Sequence, residues 1–403
     1  MSYDVVPVRA QYPALGDGRA WLDGAAGTQV PQAVIDAVSD AYRSGVSNQG
    51  APFEASARGT GIVAEARQAV ADLVGAPEPR GVVLGPTMTA LTYRFAAALA
   101  PSWRPGDEIV LTQLDHDANV RPWVQAAERA GVTVRLAQVD PTTGQLPAAG
   151  VVDLIGPRTR LVALTAASNL IGTRPDVAAV CSVARAAGAV SYIDGVHHCP
   201  HTHVDLATLG ADLYATSAYK WTGPHLAAVV AADLAVLEAL HPDTLLPSPD
   251  TVPERFELGT SPFPSLAGLV AAVDHLAGLD PAATGTRRQR LALSRTAASA
   301  HEDRLGQRML DGLMGRPGVA LFGPLTNRTP TAYFRLEGLP PADVAAELGA
   351  RGVNCWSGYA YAWELAGALG LRETGGGVRA SVSHYSDDGD VDRLLAAVAE
   401  LAG

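Results

Sequence analysis

The sequence predicts an α/β protein, with a large domain on a mostly parallel seven-stranded sheet and a small α+β C-terminal domain. Three observations carry this. Between residues 80 and 235, seven short apolar runs alternate with helix-like stretches, the rhythm of a sheet whose crossovers are helices. A proline-rich stretch near residues 240–265 then gives way to a long helical region, and residues 330–403 read strand, helix, strand, helix. The 403 residues, 48% of them hydrophobic, suffice for more than one core.

In chain order the expected strands are GVVLG (81–85), EIVLT (108–112), VTVRLAQV (132–139), RLVALTAA (160–167), AVSYID (189–194), DLYAT (212–216) and LAAVVAA (226–232). Between them, ANVRPWVQAAERAG (118–131) and PDVAAVCSVARAAG (175–188) are amphipathic and end on glycine, as helices do at their C-caps. The proline-rich stretch reads as an extended crossing loop. SLAGLVAAVDHLAGL and the charged TRRQRLALSRTAASAHEDRLGQRML, within 266–315, suit a long connecting helix. The small domain follows with TAYFRL as strand, PADVAAELGARG as helix, a short aromatic segment, VRASVSH as strand and DVDRLLAAVAELAG as helix. The expected boundaries are 1–20 for an N-terminal segment packing on the small domain, 21–285 for the large domain and 286–403 for the small one. No internal repeat or low-complexity tract interrupts the pattern.

The formal net charge of −11 argues against a nucleic-acid partner, whose phosphates demand a basic surface. No stretch of about 18 uninterrupted apolar residues occurs, and the N-terminus lacks an apolar signal core, so a cytoplasmic protein without a membrane partner is expected. Cys181, Cys199 and Cys355 are odd in number and widely spaced, which favours reduced thiols.

The basic residues are unevenly chosen: 29 are arginine and only Lys220 is lysine. Arginine replaces lysine as a charge but cannot act as a free amine toward a carbonyl. A lysine-poor composition alone would leave the same count, so the neighbours of Lys220 decide its meaning. YIDGVHH (192–198) delivers Asp194 at a strand's carboxyl end, where open α/β sheets bind ligands. There it would cap a loop or pair with the protonated ring nitrogen of a pyridoxal cofactor. The next strand ends in TSAYKWTGPH (216–225), which places Lys220 on the same edge, flanked by the hydroxyls of Ser217 and Tyr219.

GPTMTALTYRFAAALA (85–100) follows a strand and opens a helix, so Thr87, Met88 and nearby N–H groups sit where a phosphate binds well. His116, in QLDHDANVRPW (113–123), is placed to lie over a planar ring. Asn169, after the fourth strand, can orient a carboxylate or a cofactor hydroxyl. Five strand ends thus supply polar groups, the pattern of an active site. Arg379, in GGGVRASVSHY (375–385), is suited to a bidentate grip on an amino-acid carboxylate or to a structural salt bridge. The run HHCPHTH (197–203) offers His197, His198, Cys199, His201 and His203 as metal ligands, but its spacing matches no familiar zinc arrangement, and no metal is expected.

At WLDGAAGTQVP (21–31), LDHDANVRPW (114–123), YIDGVHHCPH (192–201), TSAYKWTGPH (216–225), FELGTSPF (256–263) and VRASVSHY (378–385) the chain resembles the class V aminotransferases, fold-type I pyridoxal-phosphate enzymes, and within them the cysteine desulfurase-like branch. The resemblance spans nearly the whole length. It implies a pyridoxal 5'-phosphate cofactor linked to Lys220, with His116 stacked on its ring and Asp194 on its pyridine nitrogen. His197 would stand near the ring hydroxyl, where desulfurases use glutamine. Thr87, Met88, Ser217 and Tyr219 would surround the phosphate, and Thr260 would reach the partner subunit's phosphate in a homodimer with shared active sites. Asn169 and Arg379 would hold the substrate carboxylate.

The departures bear on the reaction. Cysteine desulfurases carry a nucleophilic cysteine on the small-domain loop, and here that loop reads NCWSGYAYAWEL (354–365), with Tyr361 at the expected thiol position and Trp356 where desulfurases have arginine. Cys355, six residues earlier, reads as a buried small hydrophobe. Trp356, Tyr359 and Tyr361 imply a larger, partly aromatic substrate pocket. The expected reaction is β-elimination of a cysteine S-conjugate, a C–S lyase reaction. Decarboxylation with oxidative deamination to an aldehyde, as in related enzymes of lincosamide biosynthesis, is the runner-up; transamination or epimerisation follows. Outside catalysis stand a silent cofactor-binding protein and a metal-binding regulator, with specialised metabolism as the setting.

Overall fold

The computed structural model describes residues 3–403. Strands run in chain order as β1 (Ala20–Trp21), β2 (Val82–Gly85), β3 (Glu108–Thr112), β4 (Thr133–Ala137), β5 (Thr159–Thr165), β6 (Val190–Asp194), β7 (Leu213–Ser217), β8 (Ala227–Ala231), β9 (Val319–Phe322), β10 (Thr331–Leu336), β11 (Val353–Asn354), β12 (Trp356–Gly358) and β13 (Gly377–Ser381). Each of the seven apolar runs becomes a strand of one sheet, in the order β2-β8-β7-β6-β5-β3-β4. Only β8 runs antiparallel, pairing β2 on one side and β7 on the other. The carboxyl ends of β2, β3, β5, β6 and β7 therefore share one edge.

Apart from the edge strand β4, which is half exposed, the strands of the sheet are buried on both faces, which is why they read as continuous apolar runs rather than alternations. Val110, Val162, Leu164, Ile193 and Val230 point to one side, where they meet the helices Glu54–Val74 and Phe263–Ala277. Ile109, Leu161, Ala163, Tyr192 and Val229 point to the other, against Met88–Leu99 and Arg121–Ala130. Successive residues of a strand face opposite ways, so one run feeds both cores. Arg121–Ala130 ends on Gly131 in the left-handed region, φ 67°. Val177–Ala186 instead ends with Ala187 as C-cap, one residue before Gly188.

The connecting region is two helices, Phe263–Ala277 and Arg287–Leu313, and the second opens with a capping box between Thr286 and Gln289. It leads into a four-stranded antiparallel sheet of order β12-β13-β10-β9. Phe334, Val378 and Ala380 of that sheet pack with Leu305 and Met309 of the long helix and Leu394 of the C-terminal helix. β1 pairs in parallel with β11. Arg9 bonds Asp390 at 2.6 Å and Arg19 bonds Asn354 at 3.1 Å, so the N-terminal segment lies against the C-terminal elements. Met1 and Ser2, within the expected 1–20 segment, lie outside the described residues. No helix among the described residues is long and apolar enough to cross a membrane.

Candidate active site

The shared carboxyl edge of the large sheet carries the polar groups, each held by its own loop. After β2, Thr87 caps the helix Met88–Leu99, its Oγ1 accepting the Ala90 N–H at 3.0 Å. The first-turn N–H groups that no capping bond satisfies remain available to an anion. After β3, Asp115 is buried and accepts from Thr112 Oγ1 and from Asn119 Nδ2, and it braces the turn that presents His116. Burial pushes its carboxyl up to about 8.

His116 Nδ1 accepts the Ala118 N–H at 3.0 Å, which assigns the proton of the neutral ring to Nε2. Burial first, then the charges of Lys220 and Arg379, holds its pKa down to about 4. After β5, Asn169 Nδ2 donates to Ala360 O at 2.8 Å, while its Oδ1 is buried without a partner. One amide hydrogen thus remains for a carboxylate.

After β6, Asp194 Oδ1 accepts the Val196 N–H at 2.9 Å, and burial raises the carboxyl to about 6 against the opposing pull of Lys220. Gly195 follows because nothing larger fits: a Cβ there would lie 1.9 Å from the Tyr214 ring. His197 Nε2 stands 3.0 Å from both Thr329 Oγ1 and Thr331 Oγ1, and its Nδ1 is buried without a partner. After β7, Lys220 is 8% exposed and its Nζ donates to Ala25 O. Burial, with the charge of Arg379, brings its pKa down to about 7, while Asp194 and Asp23 resist.

Two cavities meet at these residues. An inner one of about 300 Å³ is lined by Thr87, Met88, Asp194, His197 and Ser217. An outer one of about 580 Å³ is lined by Arg379, Trp356 and Tyr361. Lys220, His116, Asn169 and Tyr219 line both. Arg379, on β13, donates from Nη1 to Asn169 O at 2.7 Å; burial lowers its pKa to about 10, so it stays cationic.

One expected residue lies elsewhere. Tyr359 does not line either cavity and packs edge-on against Trp363, centroids 5.7 Å apart. β12 ends at Gly358, and the positive φ of Gly358, Ala360 and Tyr361 breaks the alternation that would have kept residues 359 and 361 on one side. Thr260 lines a separate cavity with Arg94 and His225. Cys355 is half-buried rather than buried, and burial pushes its thiol up to about 12. None of Cys181, Cys199 and Cys355 lines either active-site cavity.

Sequence reasoning missed Asp23, Tyr93, Arg121 and His225. Asp23 stands inside WLDGAAG, and burial raises it to about 6 beside the charges of Arg379 and Lys220. His225 lines the inner cavity and stacks on Tyr219, centroids 4.9 Å apart. Tyr93 and Arg121 line the outer cavity from helices, with no local signal of it. In the histidine run, His198 pairs with Tyr214 and His201 with Glu302, and no group of three metal-ligating residues forms among the described residues.

The inner cavity fits pyridoxal phosphate. His116 offers a flat face, Asp194 a buried carboxylate for a ring nitrogen, His197 Nδ1 an orphaned buried polar atom for a ring oxygen, and the helix N-terminus with Ser217 a phosphate seat. Lys220 supplies the amine that the aldehyde requires.

The family described as Aminotransferase class-V matches residues 20–394. A Mycobacterium tuberculosis protein described as uncharacterized protein MT3887 is 36% identical over 402 residues, covering all of both chains. A probable cysteine desulfurase of Pseudomonas putida is 33% identical over 412 residues, 97% of each chain. The crystal structure of the cysteine desulfurase CsdA from Escherichia coli superposes with a TM-score of 0.85 at 28% identity, covering 99% of this chain and 98% of that one. The chain therefore belongs to the class V aminotransferase family of pyridoxal-phosphate-dependent enzymes and is related to cysteine desulfurases.

Proposed function

We propose that this protein is a C–S lyase that cleaves the Cβ–S bond of a cysteine S-conjugate, giving a thiol, pyruvate and ammonia. The observation that carries the reading is the pairing of a buried amine of pKa about 7, Lys220, with the cationic Arg379 on the walls of one cavity that no cysteine lines. Bound pyridoxal phosphate supplies an electron sink for bonds at the substrate Cα. Arg379 and the remaining Asn169 amide hydrogen grip the carboxylate and so orient Cα toward Lys220. Lys220 Nζ, whose pKa burial brings down to about 7, accepts the Cα proton in its uncharged form. Asp194 would offer its carboxylate to the ring nitrogen, and His116, held as a neutral ring, would lie against the cofactor. The sulfur leaves with the bonding pair and takes a proton, and water releases pyruvate and ammonia from the remaining fragment.

The outer cavity, about 580 Å³ and walled by Tyr93, Trp356 and Tyr361, has room for a substituent on sulfur. The same clamp would serve decarboxylation with oxidative deamination, transamination or epimerisation, and the products discriminate. Purified protein reconstituted with pyridoxal phosphate is offered cysteine S-conjugates, and thiol, pyruvate, aldehyde and carbon dioxide are measured together. Equal thiol and pyruvate support the lyase; aldehyde with carbon dioxide without pyruvate replaces it by the oxidative reading. We further propose a cytoplasmic homodimer in which Thr260 reaches the partner subunit's phosphate, supported by the position of Thr260 away from this chain's own Lys220 cavities.

A further inference from the structure

We infer that Thr329 and Thr331 are positioning residues that hold His197 with its proton on Nδ1, and thereby aim an N–H at the ring oxygen of the bound cofactor. The inference rests on the pyridoxal-phosphate reading of the inner cavity. It assigns to the small domain a part in tuning the cofactor, beyond gripping the substrate.

His197 is buried, and the charges near it are those of Lys220, Arg379, Arg174 and His201, so its ring is held neutral with one proton and one lone pair. Nε2 lies 3.0 Å from Thr329 Oγ1 and 3.0 Å from Thr331 Oγ1. The other acceptors open to the Thr329 hydroxyl are more distant: Gly172 O at 3.5 Å and Thr331 Oγ1 at 3.4 Å. Its hydrogen therefore goes to Nε2. Ser381 Oγ stands 3.0 Å from Thr331 Oγ1 and can donate to it, which leaves the Thr331 hydrogen free to turn to Nε2 as well.

With the lone pair on Nε2, the ring proton sits on Nδ1, the atom that is buried and has no protein partner. A buried N–H without an acceptor is costly, and a ring oxygen bearing negative charge is the acceptor that a cofactor in this cavity brings. The ring cannot readily turn to exchange its nitrogens. His201 meets it edge-on at 5.0 Å and 74°, and Glu302 holds His201 at 2.8 Å.

The two threonines enter β10, and Thr331 pairs in register with Ser381 of β13, two residues beyond Arg379. The substrate clamp and the brace on His197 therefore belong to neighbouring strands.

A donor on the ring oxygen stabilises the deprotonated lysine–cofactor link more than the protonated one. In the protonated link the oxygen's charge is already shared with the adjacent N–H. Loss of the donor must raise the pH at which the visible absorbance of the bound cofactor titrates.

The test uses the holoprotein and Thr329→Val/Thr331→Val, Thr329→Ser/Thr331→Ser and His197→Phe. Visible absorbance is followed against pH, and the His197 nitrogens are followed by 15N NMR of the histidine-labelled protein. The valine pair and His197→Phe are expected to move the titration midpoint upward by about one pH unit, the size of one charge-assisted hydrogen bond. The serine pair, which keeps both hydroxyls, retains the wild-type midpoint and an Nδ1-protonated spectrum. Each single valine variant, with one hydroxyl left, is examined in the same way should the pair fail to fold. A valine pair that titrates like wild type while His197→Phe shifts would overturn the role of the threonines. An Nε2-protonated His197 in the wild type would overturn the proton count. A wild-type protein that takes up no cofactor would overturn the underlying reading, and the inference with it.

Discussion

The ring of Tyr361 lies over that of His116, centroids 5.4 Å apart and planes 28° from parallel, and the Tyr361 carbonyl accepts the Asp117 N–H at 2.8 Å. A small-domain tyrosine thus covers the face of a large-domain histidine. Yet Tyr361 itself is 73% exposed, so the stack is the lip of the outer cavity. Tyr361→Ala removes part of the burial that depresses His116, and its pKa is expected to climb from about 4 toward the ordinary value, read by histidine NMR. Activity on S-conjugates with large apolar substituents should fall about 10-fold in kcat/KM, with less effect on small ones. An equal loss on both would mean that Tyr361 is no substrate wall.

Lys220 carries the next expectation. Its pKa of about 7 lies far below the unfolded value, so the unfolded chain holds an extra proton between about pH 7 and the ordinary lysine range. The cost of burying the charged amine is therefore full below about pH 7 and fades as pH rises. In the cofactor-free protein, Lys220→Met should raise stability to urea at roughly pH 6 and much less at roughly pH 9. A gain independent of pH would show that the pKa of the amine is not lowered in the fold. Lys220→Ala should also abolish the visible band of the bound cofactor.

Arg379 should separate substrate binding from cofactor binding. Arg379→Lys keeps a charge but loses the planar fork, and kcat/KM for amino-acid substrates is expected to drop about 100-fold, mainly through KM. Cofactor affinity should stay within about threefold, because Arg379 lines the outer cavity and not the inner one. Loss of the cofactor itself would place Arg379 in the wrong role.

Much of this was legible before the structure, and the reasons are physical. A strand buried on both faces writes itself as a continuous apolar run, and six of the seven are of that kind, β4 being a half-exposed edge strand; the carboxyl-edge rule then collected Thr87, His116, Asn169, Asp194 and Lys220. Lys220 stood out because arginine cannot replace its chemistry. The pairing of β1 with β11 joins residues more than 300 positions apart through two-residue strands, too short to carry a period. Tyr359 was misplaced because the turn after β12 is set by backbone angles, φ 45° at Ala360 and 58° at Tyr361, that these residue types do not announce. Tyr93 and Arg121 reach the cavity by the way helices dock, which no local pattern records.

Gly195 links strand packing to the cofactor site. Its backbone is not in the left-handed region, so the requirement for glycine is one of space. The Gly195 N–H bonds Ala215 O at 2.8 Å, its carbonyl accepts the Cys199 N–H at 2.7 Å, and Tyr214 is fully buried and bonded to His198. A methyl at residue 195 would overlap the Tyr214 ring, and neither neighbour has free volume to yield. Gly195→Ala is expected to cost about 1–3 kcal/mol in urea unfolding and, by shifting the end of β6, to displace Asp194, the carboxylate proposed to meet the ring nitrogen. Cofactor affinity should fall with it. Tyr214→Leu opens the space that the methyl needs, so Gly195→Ala/Tyr214→Leu should recover part of the cofactor affinity lost by Gly195→Ala alone, though it adds its own cavity cost to stability. If Gly195→Ala unfolded and bound cofactor like wild type, the close approach to Tyr214 would not be what positions Asp194.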